Sequence, residues 1–329
     1  MVKKENLLIV APWMRKYVEI DETILQKKYK VKKIIVSEYV DSNKIKSFFK
    51  IINLIFWSDL VYFWFATNYR IFILCKIFFK KTIVVAGGYD VATLPEINYG
   101  KTLRDSSIYK EVKLMLEKSD LVIAVSESTK KEVLKISTPK KLYVIYLGVE
   151  TDKYTPKTKE KIVITIGGIM NQTIKKKGLE TFVKTATYLP DTKFILVGKS
   201  YDLESLKYLK SIASENVEFT GFIEENKLLD LIGKTKVYVQ VSAHEAFGLS
   251  LAEAMSAGCI PVVTDRAALP EVVGNTGYYV KYDNPNETAE KIKIALDQNG
   301  KSSPRARIIS KFTIARREKK LLSVLEEIT

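Results

Sequence analysis

The sequence predicts an α/β chain of two halves, each built around its own parallel sheet. Three observations carry that expectation. Short, continuous apolar runs rich in β-branched and aromatic residues recur along the whole chain. Segments of helical periodicity separate them. A polar stretch at 148–161, containing Pro156, divides the series in the middle and reads as an interdomain linker. Continuous apolar runs, as opposed to alternating ones, belong to strands covered on both faces by crossover helices.

In the first half the strand runs are LLIVA at 7–11, KKIIV at 32–36, LVYFWFA at 60–66, TIVVA at 82–86, LVIAV at 121–125 and LYVIYLG at 142–148. Helical periodicity covers 22–29, 105–118 and 127–136 between them. The second half repeats the scheme with KIVITIGG at 161–168, KFILVGK at 193–199, NVEFTGF at 216–222, KVYVQVS at 236–242, CIPVVTD at 259–265 and GYYVKY at 277–282. Its helices are expected over 178–189, 201–213, 225–233, 249–257 and 287–298. The expected domains are therefore 1–150 and 151–302. Residues 303–329 form a basic and then helical segment striped by Leu321, Leu322, Val324 and Leu325, which either caps the second domain or returns to the first.

With 329 residues, 47 % of them apolar, the chain can bury two ordinary cores. Its two cysteines, Cys75 and Cys259, exclude a disulfide-stapled scaffold and fit a reducing compartment. The single histidine, His244, argues against a zinc hydrolase, and no Asp-x-Asp is present to carry a metal. No metal and no cofactor are expected. The net charge is +15, and residues 1–150 hold 26 basic against 16 acidic residues. Nucleic acid, a membrane surface or a phosphorylated substrate would each answer that charge, as would a plain lysine-rich surface.

The N-terminal apolar run is too short for a signal segment, and residues 51–81 are broken by Asp59, Arg70 and Lys76. The expectation is a cytoplasmic protein whose only membrane association is peripheral, at the inner face. The aromatic run at 56–81, beside Arg70, Lys80 and Lys81, has two readings. One is a central strand followed by a buried helix; the other is a surface that seeks an anionic lipid interface.

The most informative segment is SAHEAFGLSLAEAMSAGCIPVVTD at 242–265. A strand ends near Ser242, a tight turn follows, and a helix begins near Gly248 and stops at Gly258. Ala252, Ala254, Ser256 and Ala257 are small enough to pack closely on a sheet. Open amides at Gly248, Leu249 and Ser250, together with the helix dipole, suit a phosphate. Glycine at 248 lets a ligand approach the backbone. Glu245 and Glu253 frame this turn. Carboxylates beside a diphosphate are unfavourable unless aimed at hydroxyls, so the pair reads as acceptors for sugar and ribose hydroxyls. Taken singly, each also reads as a first-turn dipole partner or a solvated helix residue.

Glu245-x7-Glu253 within HEAFGLSLAEAMSAGCIPVV resembles the donor-site signature of glycosyltransferase family 4, the retaining nucleotide-sugar enzymes with the GT-B fold. ALPEVVG at 268–274 and IGGIMNQTIKKKGLETFVKTA at 166–186 resemble that family too, as do GGYDVA at 87–92, LVIAVS at 121–126 and VIYLGVETDKY at 144–154. The resemblance implies two Rossmann-like domains facing across a cleft, an acceptor domain followed by a donor domain. It implies retaining, metal-independent transfer from a UDP- or GDP-sugar to a glycan or lipid-linked acceptor. Carried over by position, Glu253 holds the ribose and Glu245 contacts the donor sugar, while backbone amides of Phe247, Gly248 and Leu249, with Ser250 beside them, hold the diphosphate. Lys177 neutralises the departing diphosphate, which makes it and Glu245 the expected catalytic pair. Gly168, Asn171 and Lys176 complete the donor pocket, and Phe222 and Ile223 fall where the base lies.

Two departures matter. The family's Gly-Arg-Leu pattern is replaced by Gly167-Gly168-Ile169, so leaving-group stabilisation falls to Lys177 with Lys175, Lys176 or Asn171. No histidine precedes residue 244, which excludes a mechanism using a first-domain histidine. On the acceptor side, Gly87 and Gly88 allow close approach, and Asp90 either orients an acceptor hydroxyl or caps the strand-end turn. A GT-B-fold epimerase would need more histidines than this chain has. A nucleic-acid binder lacks a reading motif among its scattered basic residues. A dehydrogenase lacks its glycine fingerprint, since residues 11–16 are APWMRK.

Overall fold

The computed structural model describes residues 4–39, 44–298 and 303–328. The chain divides into two compact units, Met1–Gly148 with Ile314–Thr329, and Val149–Thr313. In the first unit the strands are β1 (Asn6–Ala11), β2 (Lys30–Ile35), β3 (Leu60–Trp64), β4 (Lys81–Ala86), β5 (Leu121–Ala124) and β6 (Leu142–Val144). They pair in the order β2-β1-β3-β4-β5-β6, every pair parallel. The second unit holds β7 (Glu160–Ile166), β8 (Lys193–Val197), β9 (Val217–Gly221), β10 (Thr235–Gln240), β11 (Ile260–Thr264) and β12 (Tyr278–Val280). Their order is β12-β11-β10-β7-β8-β9, again all parallel. The continuous apolar runs are explained by burial on both faces: all five residues of β3 and all four of β5 are buried.

One face of the first sheet packs Val10, Val61, Phe63 and Val84 against Phe72, Met115 and Leu116 of its helices. On its other side the buried Arg317 and Asp21 form a bidentate pair at 2.6 and 2.7 Å. The Tyr62 hydroxyl donates to the same carboxylate, and Arg317 also donates to the Ile145 and Tyr146 carbonyls. Arg317 lies on the helix Ile314–Glu326, which belongs to the first unit. The preceding helix, Pro304–Lys311, stays with the second, where Arg305 donates to the Tyr154 and Ser256 carbonyls and Arg307 to those of Glu271 and Val272. The two destinations weighed for the segment after 303 are thus each taken by one helix, and the crossing falls between 313 and 314.

Several elements differ from the sequence expectation: the first helix runs Lys16–Gln26 and not 22–29, and the short helices Asn171–Lys176 and Leu269–Val273 add to those expected in the second half. The helix Lys44–Trp57 was not anticipated, because its apolar residues occupy more than one stripe. In the run at 56–81, β3 is buried and the helix Tyr69–Ile77 buries Phe72 and Cys75. The exposed aromatics lie on either side of that pair, on the helix before β3 and in the turn before β4.

Candidate active site

In the second sheet β7, the first strand in sequence, lies between β10 and β8. Connections leave it in both directions, so a crevice opens at its carboxyl end, the usual ligand position in open parallel sheets. The loop after β7 and the loop after β10 flank that crevice. Glycines let them touch. A methyl group at Gly178, whose φ is +64°, would lie 2.1 Å from the Val241 carbonyl oxygen; on the other side of β7, one at Gly198, just after β8, would lie 2.0 Å from the Gly167 carbonyl oxygen. The Ala243 amide donates to the Lys176 carbonyl at 2.8 Å and completes the lacing.

This contact brings Lys177 to Glu245. Lys177 follows the short helix Asn171–Lys176, and its stem lies across Gly167, where a methyl group would come within 2.9 Å of Cδ. Its Nζ is 3.4 Å from Glu245 Oε1, with side chains 22 % and 12 % exposed. The Ser242 hydroxyl donates to the same oxygen at 3.3 Å. Burial works to raise the Glu245 pKa, but Lys177, Lys176 and His244 outweigh it and bring it down to about 2. The buried Gln240 side chain, at the end of β10, favours the ionised form as well.

The helix Leu249–Ser256 starts beside this pair. Gly248 is its N-cap at φ +88°, and no side chain caps its first amides. Its end is closed as a Schellman motif: the Gly258 amide donates to Met255 and the Cys259 amide to Ala254. Phe247 is buried against the Phe312 ring at 5.5 Å, so its side chain anchors the turn and only its backbone faces the site. Leu249 and Ser250 are half-buried, and the Ser250 hydroxyl accepts from the buried Tyr238 hydroxyl at 3.0 Å. Glu253 is half-buried on this helix. Tyr154, from the linker, is raised by burial first and then by the charge of Glu253 and a hydrogen bond to it.

The remaining donor-side residues are dispersed along the same sheet edge. Gly168 sits where a methyl group would meet the Tyr201 ring at 2.9 Å. Asn171 is exposed, and its backbone amide donates to Asp202 at 3.0 Å. Lys176 is half-buried with its carbonyl engaged by Ala243. Phe222 is 76 % exposed after β9, with Ile223 half-buried beside it. Gln240, Tyr238 and Tyr154 were missed from the sequence, because a strand residue and a linker residue carry no local sign of what they face. Among the described residues, no group of three or more His, Cys, Asp or Glu is placed to hold a metal.

In the first unit, Gly87, Gly88 and Asp90 follow β4. Asp90 is fully buried, and its carboxylate accepts from the amides of Gly87 at 3.1 Å, Gly88 at 2.9 Å and Ala66 at 2.8 Å. Both oxygens are therefore spent on framing the loops after β3 and β4, which favours the turn-capping reading over an acceptor-orienting one. Burial raises its pKa to about 6 against those amides. Gly87 packs on the Phe65 ring, which a methyl group there would approach to 2.2 Å.

Residues 150–312 match the family model described as glycosyl transferases group 1. Residues 150–312 therefore form a group 1 glycosyl transferase domain. The chain is 28 % identical over 188 residues to a GDP-mannose:cellobiosyl-diphosphopolyprenol alpha-mannosyltransferase of Xanthomonas campestris, covering 54 % of this chain and 50 % of that protein. It is 30 % identical over 207 residues to an uncharacterized glycosyltransferase of Methanocaldococcus jannaschii, covering 57 % and 52 %. The chain thus spans about half the length of the curated relatives it matches. The crystal structure of Anabaena HepE in complex with UDP and glucose superposes with a TM-score of 0.80 at 16 % identity, over 98 % of this chain and 100 % of that one. Sucrose-phosphate synthase from Thermosynechococcus elongatus gives 0.79, also at 16 % identity, over 99 % of both chains. The fold of the chain is GT-B.

Proposed function

We propose that this protein transfers a glycosyl group, with retention of configuration, from a UDP- or GDP-sugar to a lipid-linked or glycan acceptor. The observation that carries the reading is the Lys177–Glu245 pair, set at the crevice between β7 and β10 beside the uncapped start of helix Leu249–Ser256. Breaking the bond from the anomeric carbon to the diphosphate oxygen leaves the electron pair, and a growing negative charge, on the diphosphate. Lys177, with Lys176 near it, and the amides at Phe247, Gly248 and Leu249 stabilise that charge more than the ground state. They take the place of the arginine that Gly168 and its neighbours lack. Retention follows if the acceptor hydroxyl attacks from the face the diphosphate leaves and passes its proton to a diphosphate oxygen.

Glu245 is held ionised, so it accepts hydrogen bonds from donor-sugar hydroxyls and does not serve as an acid. Glu253, steadied by Tyr154, accepts from the ribose. Ser250 and Asn171 border the diphosphate, and Phe222 and Ile223 flank the base. In the first unit Gly87 and Gly88 border the acceptor and Asp90 holds their loop. The mannosyltransferase of Xanthomonas campestris is named for a diphosphopolyprenol-linked substrate, and HepE was solved with UDP and glucose, which supports the two substrate classes. An acceptor carried on a lipid also requires the enzyme to reach a bilayer surface, here as a peripheral protein with no metal or organic cofactor.

The test is thermal stabilisation and nucleotide release against UDP-, GDP- and ADP-sugars, with Glu253→Ala in parallel. Stabilisation by one donor that disappears in the variant supports the reading and names the base. Stabilisation by none of them, or equal stabilisation of the variant, overturns the site assignment.

A further inference from the structure

We propose that the first unit docks on an anionic lipid bilayer through the outer face of helix Lys44–Trp57 and the turn that follows helix Tyr69–Ile77. The first helix already has an inward apolar face, with Ile55 buried and Ile51 and Leu54 packed against the core. Its outward face is apolar as well. Phe49 and Phe56, 61 % and 58 % exposed, lie two turns apart on one line of the helix, and Phe48 is half exposed beside Phe49. The Phe56 ring meets Phe78 at 4.4 Å, which carries the patch across to the end of the second helix. There Ile77 is exposed and Phe79 is 94 % exposed.

Phe79 is the most informative of these. It occupies a left-handed backbone position, φ +52°, just past the helix end, where the Lys80 amide closes the last turn onto the Cys75 carbonyl. Glycine is the residue that suits such a position. A phenylalanine there strains the backbone and contributes no packing, so the fold gives no reason for it. An apolar patch of this kind, rimmed by polar residues, marks an interaction surface.

Charge selects the partner. Residues 44–89 hold seven basic residues and a single acidic one, Asp59, whose carboxylate is engaged by the Asn6 amide. Lys46, Lys50, Arg70 and Lys81 stand exposed around the patch. Exposed phenylalanines interleaved with lysines fit the boundary between acyl chains and anionic headgroups. Among the described residues no helix is long and apolar enough to cross a membrane, and a helix of 14 residues lies on a bilayer instead of spanning it. The inference does not depend on the proposed transfer reaction, because vesicle binding is read without any sugar substrate.

The full chain is sedimented with vesicles of phosphatidylcholine alone and of phosphatidylcholine mixed with phosphatidylglycerol. Binding to the anionic vesicles, weakening as salt rises, is expected. The triple variant Phe49→Ser, Phe56→Ser, Phe79→Ser should bind at least about tenfold more weakly, and Lys46→Glu with Lys50→Glu should remove the preference for phosphatidylglycerol. Phe79→Gly separates docking from folding: its melting temperature should hold or rise while vesicle binding falls. Three results would overturn the proposal. They are binding that ignores the phenylalanines, binding equal on both vesicle types, and a vesicle-free dimer that the triple variant converts to monomer, which would make the patch a self-association surface.

Discussion

At the carboxyl edge of the second sheet, Glu245 faces Lys177 at 3.4 Å and its pKa is held down to about 2. At the carboxyl edge of the first sheet, Asp90 is buried among three backbone amides and its pKa rises to about 6. Both are carboxylates in loops that follow parallel strands, Asp90 fully and Glu245 largely buried, and burial pushes both upward. The difference is the cations. Amides alone do not repay the desolvation of Asp90, whereas Lys177 and Lys176 more than repay that of Glu245. The contrast separates two uses of a carboxylate. Asp90 is fully committed to its own backbone and fixes a loop, while Glu245 remains ionised beside a cation that can shift its partnership to an incoming diphosphate.

The sharpest way to break that contrast is to remove the cation. Lys177→Ala should lower turnover of the nucleotide sugar by a hundred- to thousandfold, roughly the cost of deleting one group that stabilises developing charge. Lys176→Ala, whose backbone carbonyl carries the loop contact, should cost far less. The reverse ranking in steady-state nucleotide release would move the principal cation to Lys176. On the other edge, Asp90→Ala leaves three buried amides without acceptors. It should destabilise the protein by about 3 kcal/mol, seen as a lower denaturation midpoint, with nucleotide affinity of the surviving folded protein unchanged. A lost nucleotide affinity with an unchanged midpoint would mean that Asp90 serves ligand and not loop.

Acid titration sharpens the same comparison with a smaller effect. The Glu245 pKa lies below its ordinary value of 4.5, so its contribution to stability is complete above that pH and is lost as the pH falls toward about 2. Lys177→Ala removes the strongest cause of the depression while burial remains. The contribution should therefore be smaller in the variant and its loss complete at a higher pH, and circular dichroism across that window checks it. Coincident acid transitions in the two proteins would show that Lys177 does not hold the charge of Glu245.

Much of this was legible in the sequence. Continuous apolar runs marked the strands because crossover helices cover both faces, and Gly248, Gly258 and the small residues between them outlined one helix with its two ends. What stayed hidden was long-range or contrary to local rule. Arg317 meets Asp21 from 296 positions away, and neither residue differs locally from a surface charge. Gln240 reads as an odd polar residue in a strand until Glu245 is seen facing it. The helix Lys44–Trp57 blurs its own period by being apolar on its outer face too. The end of helix Tyr69–Ile77 carries Phe79 where a glycine would have announced a stop.

The smallest effect tests the least legible contact. Tyr154 lies in the linker segment, nearly 100 positions before Glu253, yet its hydroxyl is bonded to that carboxylate. Tyr154→Phe keeps the ring and the packing and removes one hydrogen bond to a charged group, about 1.5 kcal/mol, or a roughly tenfold weaker nucleotide complex. A purely structural tyrosine would weaken every nucleotide alike. If Tyr154 instead aims Glu253 at the ribose, the wild-type protein should favour a ribonucleoside diphosphate over its deoxyribose counterpart, and the variant should lose part of that preference. Calorimetric titration of both nucleotides into both proteins reads the difference directly. An equal loss for the two sugars would leave Tyr154 as a linker anchor, and Glu253 would then find its orientation from the helix alone.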